Sequence, residues 1–120
     1  MAQKIPWDKF ETALLLDSCM KVSDGSIKRK DAVSSLSALL RKRASGSGIP
    51  IDDKFRNENG ISLQMSHMVN ILTDGAEGLP GGGKIYKEMA QLFRSSPSEF
   101  EKILKEARKQ VGEFNAKILQ

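Results

Sequence analysis

The side chains of this sequence that could perform covalent chemistry are few and do not group together. The chain has one histidine, His67, and one cysteine, Cys19. Catalysis or metal binding would require further Cys, His or carboxylate groups at suitable spacing, and the sequence offers none. Cys19 lies in an apolar stretch, which is typical of a small buried hydrophobe. The adjacent Asp52 and Asp53 could perform carboxylate chemistry, but their position favours a loop cap or a salt bridge to Arg56. We therefore predict no enzyme, no metal and no cofactor.

One glycine-rich segment matches a nucleotide-binding pattern only in part. Residues 78–84 read Gly-Leu-Pro-Gly-Gly-Gly-Lys and fit G-x-x-x-x-G-K. A P-loop needs Ser or Thr at the next position to bind magnesium, but Ile85 follows, and no buried strand precedes the segment. We therefore predict a plain glycine loop, in which a helix start and Lys84 could hold at most a stray anion.

Side chains suited to nucleic acid are more numerous and fall into two groups. Residues 28–43 hold six basic residues and one acid in a chain of net charge +4, and Lys and Arg contact phosphate. Residues 59–73 hold no Asp, Glu, Lys or Arg, although the chain is 28% charged. Their polar residues include Asn and Gln, which read adenine, and Ser, which serves either base. The predicted phosphate contacts are Lys28, Arg29, Lys30, Arg41, Lys42, Arg43 and Arg56, and the predicted base contacts are Gln64, Ser66, His67 and Asn70.

Plainer interpretations of both groups stay open. A basic stretch is more often a solvated helix face than a binding site. The uncharged face of residues 59–73 would simply be interior if later helices covered it.

The elements that position these groups are predicted to be helices. The first spans residues 8–22, with Asp8 and Glu11 as a capping box, and it is apolar on so many sides that we expect it at the centre of a bundle. The second spans residues 29–45 and is amphipathic. The third spans residues 61–72, with Asn57 or Asn59 as its N-cap. Its apolar residues fall on one face, namely Ile61, Met65, Met68, Val69 and Leu72.

The remaining chain is predicted to form a loop and two further helices. Residues 73–83 contain five glycines and a proline, so we expect a flexible loop there. A fourth helix spans residues 84–95. Ser96, Pro97 and Glu99 predict the start of a fifth helix with a capping box. Its apolar rhythm continues to Ile118, which would make it about 33 Å long at ~1.5 Å per residue.

Length and composition favour one all-α domain over residues 1–120. The expected parts are a tri-helical, helix-turn-helix-like core over residues 7–72, the glycine-rich loop over 73–83, and two C-terminal helices over 84–120. No apolar run approaches the ~20 residues of a membrane span, and the start shows no secretory signal. A single cysteine fits a reducing cytoplasm.

Three stretches of the sequence form a recognisable pattern: Trp7-x-x-x-Glu11-x-x-Leu14-Leu15-Leu16, then Leu40-Arg41-Lys42-Arg43-Ala44, then Ile51-Asp52-Asp53-x-Phe55-Arg56-Asn57-x-Asn59-Gly60-Ile61-x-x-Gln64-Met65. This pattern resembles a poorly characterised bacterial domain found at the N-terminus of larger proteins, some with helicase- or nuclease-like parts. The opening Trp-x-x-x-Glu-x-x-Leu-Leu also looks like the first helix of Myb- or trihelix-type DNA-binding domains. The resemblance implies a fragment or N-terminal domain of a longer protein, and it assigns no activity.

Two functions follow as expectations. The first is a non-catalytic nucleic-acid-binding accessory module, with DNA as the expected partner and RNA as a second possibility. The alternative is a protein-interaction or assembly module, which would bind a partner or a second copy through the helix 3 face and the heptad-like C-terminal helix. A membrane partner is not expected.

Overall fold

The computed structural model describes residues 5–112, and within that range the chain forms helices and no β-strand. For these residues, the predicted all-α class and the count of five helices are confirmed. The second and fourth helices agree with their predicted bounds to within one residue. The helices are α1 Lys9–Ser23, α2 Arg29–Gly46, α3 Glu58–Leu72, α4 Lys84–Ser95 and α5 Pro97–Gln110.

The first helix is the centre of the bundle, as its pattern predicts. α1 contacts each of the other four helices. Because it is covered from several directions, four successive side chains, Ala13 to Leu16, are all buried. The predicted capping box starts it: the Asp8 carboxylate accepts from the Glu11 amide at 2.8 Å, and the Glu11 carboxylate accepts from the Asp8 amide at 3.2 Å. These bonds satisfy two amide groups that the helix itself cannot pair.

The third helix buries the face that its sequence predicts. Its N-cap is Asn57, whose side chain accepts from the Gly60 amide at 2.8 Å. α3 packs against α1, α2 and α4, so its apolar side has no contact with solvent along most of its length. Ile61, Met65 and Met68 are fully buried, and Val69 and Leu72 are half-buried.

The fifth helix differs from its prediction at both ends. Pro97 occupies its first turn as predicted, but Ser96 makes no side-chain cap, so the predicted capping box with Glu99 is wrong. The Ser96 carbonyl instead accepts from the Glu99 amide at 3.0 Å. α5 ends at Gln110 after 14 residues, and Gly112 follows with φ 81, a left-handed conformation common after helix ends. The predicted continuation to Ile118 lies outside the described residues.

One hydrophobic cluster unites the bundle. All five helices contribute buried side chains to it, so the packing draws no boundary between the first three helices and the last two. The tri-helical, helix-turn-helix-like unit over residues 7–72 therefore stays a prediction. In the part of the chain that is described, no helix combines the length and apolarity needed to cross a bilayer.

Candidate functional site

The glycine-rich loop folds back over the polar side of α3. The Leu79 amide donates to the Ser66 carbonyl at 3.1 Å, and the Leu79 carbonyl lies 3.0 Å from Nδ1 of His67. The Asn70 side chain donates to the Glu77 carbonyl at 2.9 Å. Two predicted base contacts, His67 and Asn70, thus hold this loop through their side chains.

The glycines explain how the loop comes so close. Gly78 has φ 74, and a Cβ atom there would lie 2.8 Å from the Asn70 nitrogen and nearer still to the Ser66 carbonyl oxygen. A Cβ atom at Gly81 would collide with the His67 ring. Glycine is therefore required both for the turns of the loop and for its close contact with α3. These two requirements explain the P-loop-like glycine pattern of the sequence without a bound phosphate.

The other two predicted base contacts also have partners inside the protein. The Ser66 hydroxyl accepts from the Arg29 guanidinium at 2.9 Å. The Tyr86 hydroxyl donates to Oε1 of Gln64 at 2.6 Å. Burial raises the pKa of Tyr86, so the hydroxyl stays protonated and keeps this bond. Each of these side chains therefore has a partner inside the protein; the base-contact role of Ser66, His67 and Asn70 stays a prediction, and we do not propose it.

The Arg56 side chain is buried and paired, so we do not propose it as a phosphate contact either. Its guanidinium binds both carboxylate oxygens of Glu11, at 2.8 and 3.0 Å, and the two side chains are only 9% and 6% exposed. The guanidinium carbon also lies 4.7 Å from the Trp7 ring centroid and 4.5 Å from that of Phe55. Arg56 therefore joins α1 to the segment before α3. The predicted alternative of a salt bridge to Asp52 or Asp53 is not formed, because its partner is Glu11.

Asp52 instead caps the loop, which was the other interpretation of the acidic pair. Its carboxylate accepts from the amides of Lys54 at 3.0 Å and Phe55 at 2.9 Å. Cys19 is buried as predicted, and burial raises the pKa of its thiol to about 12. Its Sγ lies 3.7 Å from the Met65 carbonyl oxygen. No group of acidic, histidine and cysteine side chains within residues 5–112 is arranged to hold a metal ion.

The six basic residues of α2 and its N-cap have different surroundings. Arg43 forms an ion pair with Asp8 at 2.9 Å. Arg29 and Arg41 donate to serine or carbonyl oxygens, which leaves their charge uncompensated. The three lysines are exposed and make no ion pair with any described residue; they are Lys28, Lys30 and Lys42.

The outer side of α2 carries short exposed side chains between two cationic ends. Lys30 and Lys42 are twelve residues apart, about 18 Å along the axis at ~1.5 Å per residue. The exposed residues between them are small or uncharged apart from Asp31, and include Ser34, Ser35 and Ala38. We call this surface the α2 surface and define it by Lys28, Arg29, Lys30, Ser34, Ser35, Ala38, Arg41 and Lys42.

An open cavity of about 450 Å³ lies beside the Arg56–Glu11 pair. Sequence reasoning missed it, although both stretches that form it were singled out for their resemblance. Nothing in the spacing indicates that the Trp7 end of α1 meets the Phe55 segment, since that contact depends on the buried ion pair. We call it the Trp7 pocket; its lining includes Pro6, Trp7, Pro50, Ile51, Asp52, Lys54, Phe55, Arg56, Gly60 and Gln64.

The faces predicted to bind a protein partner are used inside the bundle. Most apolar residues of α5 are buried in the protein's own core, with Ile103 partly buried, and the glycine loop covers much of the polar side of α3. The last apolar positions of the heptad-like pattern, Phe114 and Ile118, lie outside the described residues. The buried α5 residues are Phe100, Leu104 and Ala107, followed by Val111.

Comparison with known proteins gives no relative from which a role could be transferred: no protein-family model, no curated protein and no solved structure matches the chain.

Proposed function

We propose that the protein is a non-catalytic nucleic-acid-binding module whose α2 surface contacts the phosphate backbone. The observation that carries the proposal is the set of five cations on α2 and its N-cap without a carboxylate partner among residues 5–112. Phosphate binding by Lys and Arg releases condensed counterions and gives most of the affinity of such contacts. The small residues between the two ends let a strand approach the helix closely.

The surroundings of the reactive groups favour binding over catalysis. Cys19 is buried with a raised pKa, which keeps the thiol protonated and unreactive at neutral pH. His67 is engaged by the Leu79 carbonyl. That the module serves a larger bacterial protein is part of this proposal and rests on the resemblance alone.

Titration with a short DNA duplex at low and moderate salt tests the proposal. Wild-type protein should bind at low salt and lose affinity steeply as salt rises. The double variant Lys30→Glu/Lys42→Glu should bind about tenfold or more weakly and lower the slope of log affinity against log salt by about two, since each phosphate contact contributes ~0.9. No binding at either salt would overturn the proposal.

A matched control has the same change in net charge. Lys87 on α4 and Lys105 on α5 are exposed, and both helices pack mainly against α1 and against each other rather than against α2. The variant Lys87→Glu/Lys105→Glu should therefore keep most of the wild-type affinity. Equal losses in the two double variants would show that only net charge matters and that the α2 surface has no special role.

A further inference from the structure

We infer that the Trp7 pocket binds one unpaired nucleobase from a strand held on the α2 surface. The inference rests on the proposed function, because the strand that supplies the base is the one that the α2 cations attract. It goes beyond that function by assigning single-stranded or locally opened nucleic acid as the ligand.

The volume and lining of the pocket suit a small ligand with an aromatic ring. Its volume of about 450 Å³ is within the usual size of small-molecule sites, and most of its lining is apolar with a few polar groups. Two aromatic side chains, Trp7 and Phe55, line it. Aromatic rings stack on any base, because every base has a π-face.

Both rings are held in place before a ligand arrives. The Arg56 guanidinium contacts the Trp7 and Phe55 rings and is itself fixed by Glu11 and by the Ile5 carbonyl at 3.1 Å. The Trp7 ring also meets the Tyr86 ring edge-on, at a centroid distance of 5.8 Å. A site prepared in this way loses little conformational entropy when a base stacks in it.

One polar side chain in the lining offers hydrogen-bond donors. Oε1 of Gln64 accepts from the Tyr86 hydroxyl, so the amide group Nε2 is oriented by that bond. Nε2 has no hydrogen-bond acceptor among the described residues, and no buried side-chain nitrogen in the described part of the chain lacks a partner, so this group is open to solvent. It can donate to a ring nitrogen or carbonyl oxygen on a base edge.

The pocket adjoins the α2 surface at Arg41. Nη1 of Arg41 donates to the carbonyls of Asp52 at 3.0 Å and of Phe55 at 2.5 Å, and both residues line the pocket. A strand whose phosphates meet Arg41 and Lys42 therefore has its bases beside the pocket. Lys54 and Asp52 both line the pocket, and the main-chain amide of Lys54 donates to the Asp52 carboxylate at 3.0 Å.

Trp7 is the only tryptophan in the chain, so its fluorescence reports directly on the pocket. The full chain is titrated with a short single-stranded oligothymidine and, separately, with a hairpin duplex of equal phosphate content. We expect saturable quenching with the single strand and much weaker quenching with the duplex. Quenching by oligoproline and none by the single strand would overturn the inference in favour of a proline-rich peptide.

Matched variants test the two kinds of contact. Phe55→Leu removes an aromatic face and keeps apolar volume, so it should weaken single-strand binding roughly five- to hundredfold, the range for loss of one stacked base. Phe93→Leu removes a ring that packs against Phe100 instead, and it should leave binding unchanged. Gln64→Glu keeps the acceptor for Tyr86 and removes the donors; it should weaken binding more than the equally charged Gln91→Glu.

Failure of this inference can be separated from failure of the proposed function. If duplex and single strand bind equally and Phe55→Leu changes neither, the pocket is not a base site, while the α2 surface still stands. If oligothymidine quenches Trp7 but Lys30→Glu/Lys42→Glu changes nothing, the pocket stands and the α2 surface does not. Thermal unfolding of each variant confirms that a loss of binding does not come from loss of the fold.

Discussion

Two polar surfaces, the α2 surface and the polar side of α3, differ in how far their side chains are bonded inside the protein. On α3, the side chains of His67 and Asn70 bind the glycine loop. On α2, Lys30 and Lys42 are exposed and have no carboxylate partner among the described residues. Hydrogen-bonding capacity therefore does not identify a binding surface until its internal partners have been counted.

The difference follows from the cost of removing each group from water. A neutral amide or imidazole can be covered at little cost if it gains one hydrogen bond, whereas an ammonium group loses far more. A loop can therefore cover α3, which has no charged residue from Asn59 to its end, but covering the lysines of α2 would be unfavourable. By sequence alone, the absence of charge over residues 59–73 indicates a surface that contacts bases. A loop that covers this side of α3 explains the same absence equally well.

The largest loss of stability is expected where a substitution leaves a buried charge without its partner. Arg56→Met leaves Glu11 buried and unpaired, so the free energy of unfolding should fall by about 3–5 kcal/mol. Urea denaturation measures it. Lys102→Met is the control, because its ion pair with Glu99 is exposed, at 75% and 57%, and should contribute about 1 kcal/mol or less. Equal losses in the two variants would mean that burial does not set the cost, and the explanation above would fail.

The loop offers the next test, with a smaller loss of stability. Gly78→Ala adds left-handed strain and a collision with α3, whereas Gly75→Ala, with φ 90 and no atom within 4 Å of an added Cβ, adds strain alone. We expect about 1–2 kcal/mol for strain in both and a further loss in Gly78→Ala. Hydrogen exchange should show the Leu79 amide less protected only in Gly78→Ala.

The same pair of variants can break the comparison. If the polar side of α3 has only a structural role, loosening the loop should leave duplex affinity unchanged. Tighter binding by Gly78→Ala than by Gly75→Ala would show that the loop covers a binding surface, and the base-reading role of α3 would return.

The sequence predicts the fold well because its signals are local. The capping box at Asp8 and Glu11 and the apolar face of α3 depend on residues within a few turns, and both form as expected. The end of α5 was harder to place, since the apolar rhythm runs past Gly112, where the chain turns out of the helix.

The candidate site was predicted less well because it depends on contacts between distant residues. Arg56 pairs with Glu11 across 45 positions, and Arg29 reaches Ser66 across 37. The hydrogen-bond donors that remain available for a ligand can be identified only once these long-range pairs are known. The glycine loop shows the same limit, because its glycines match part of a phosphate-binding motif and in fact permit contact with His67 and Asn70.

The smallest expected effects compare one residue from each surface. Lys42→Ala should weaken duplex binding a few-fold and lower the salt slope by about one, because it removes one phosphate contact. Asn70→Ala should change neither, since its amide is bound to the Glu77 carbonyl; its cost should be about 1 kcal/mol of stability from that lost bond. The duplex dissociation constants of both variants are measured in the same fluorescence-anisotropy titrations. Because each substitution leaves a small side chain on a helix, a result in which Asn70→Ala weakens binding more than Lys42→Ala would exchange the roles of the two surfaces.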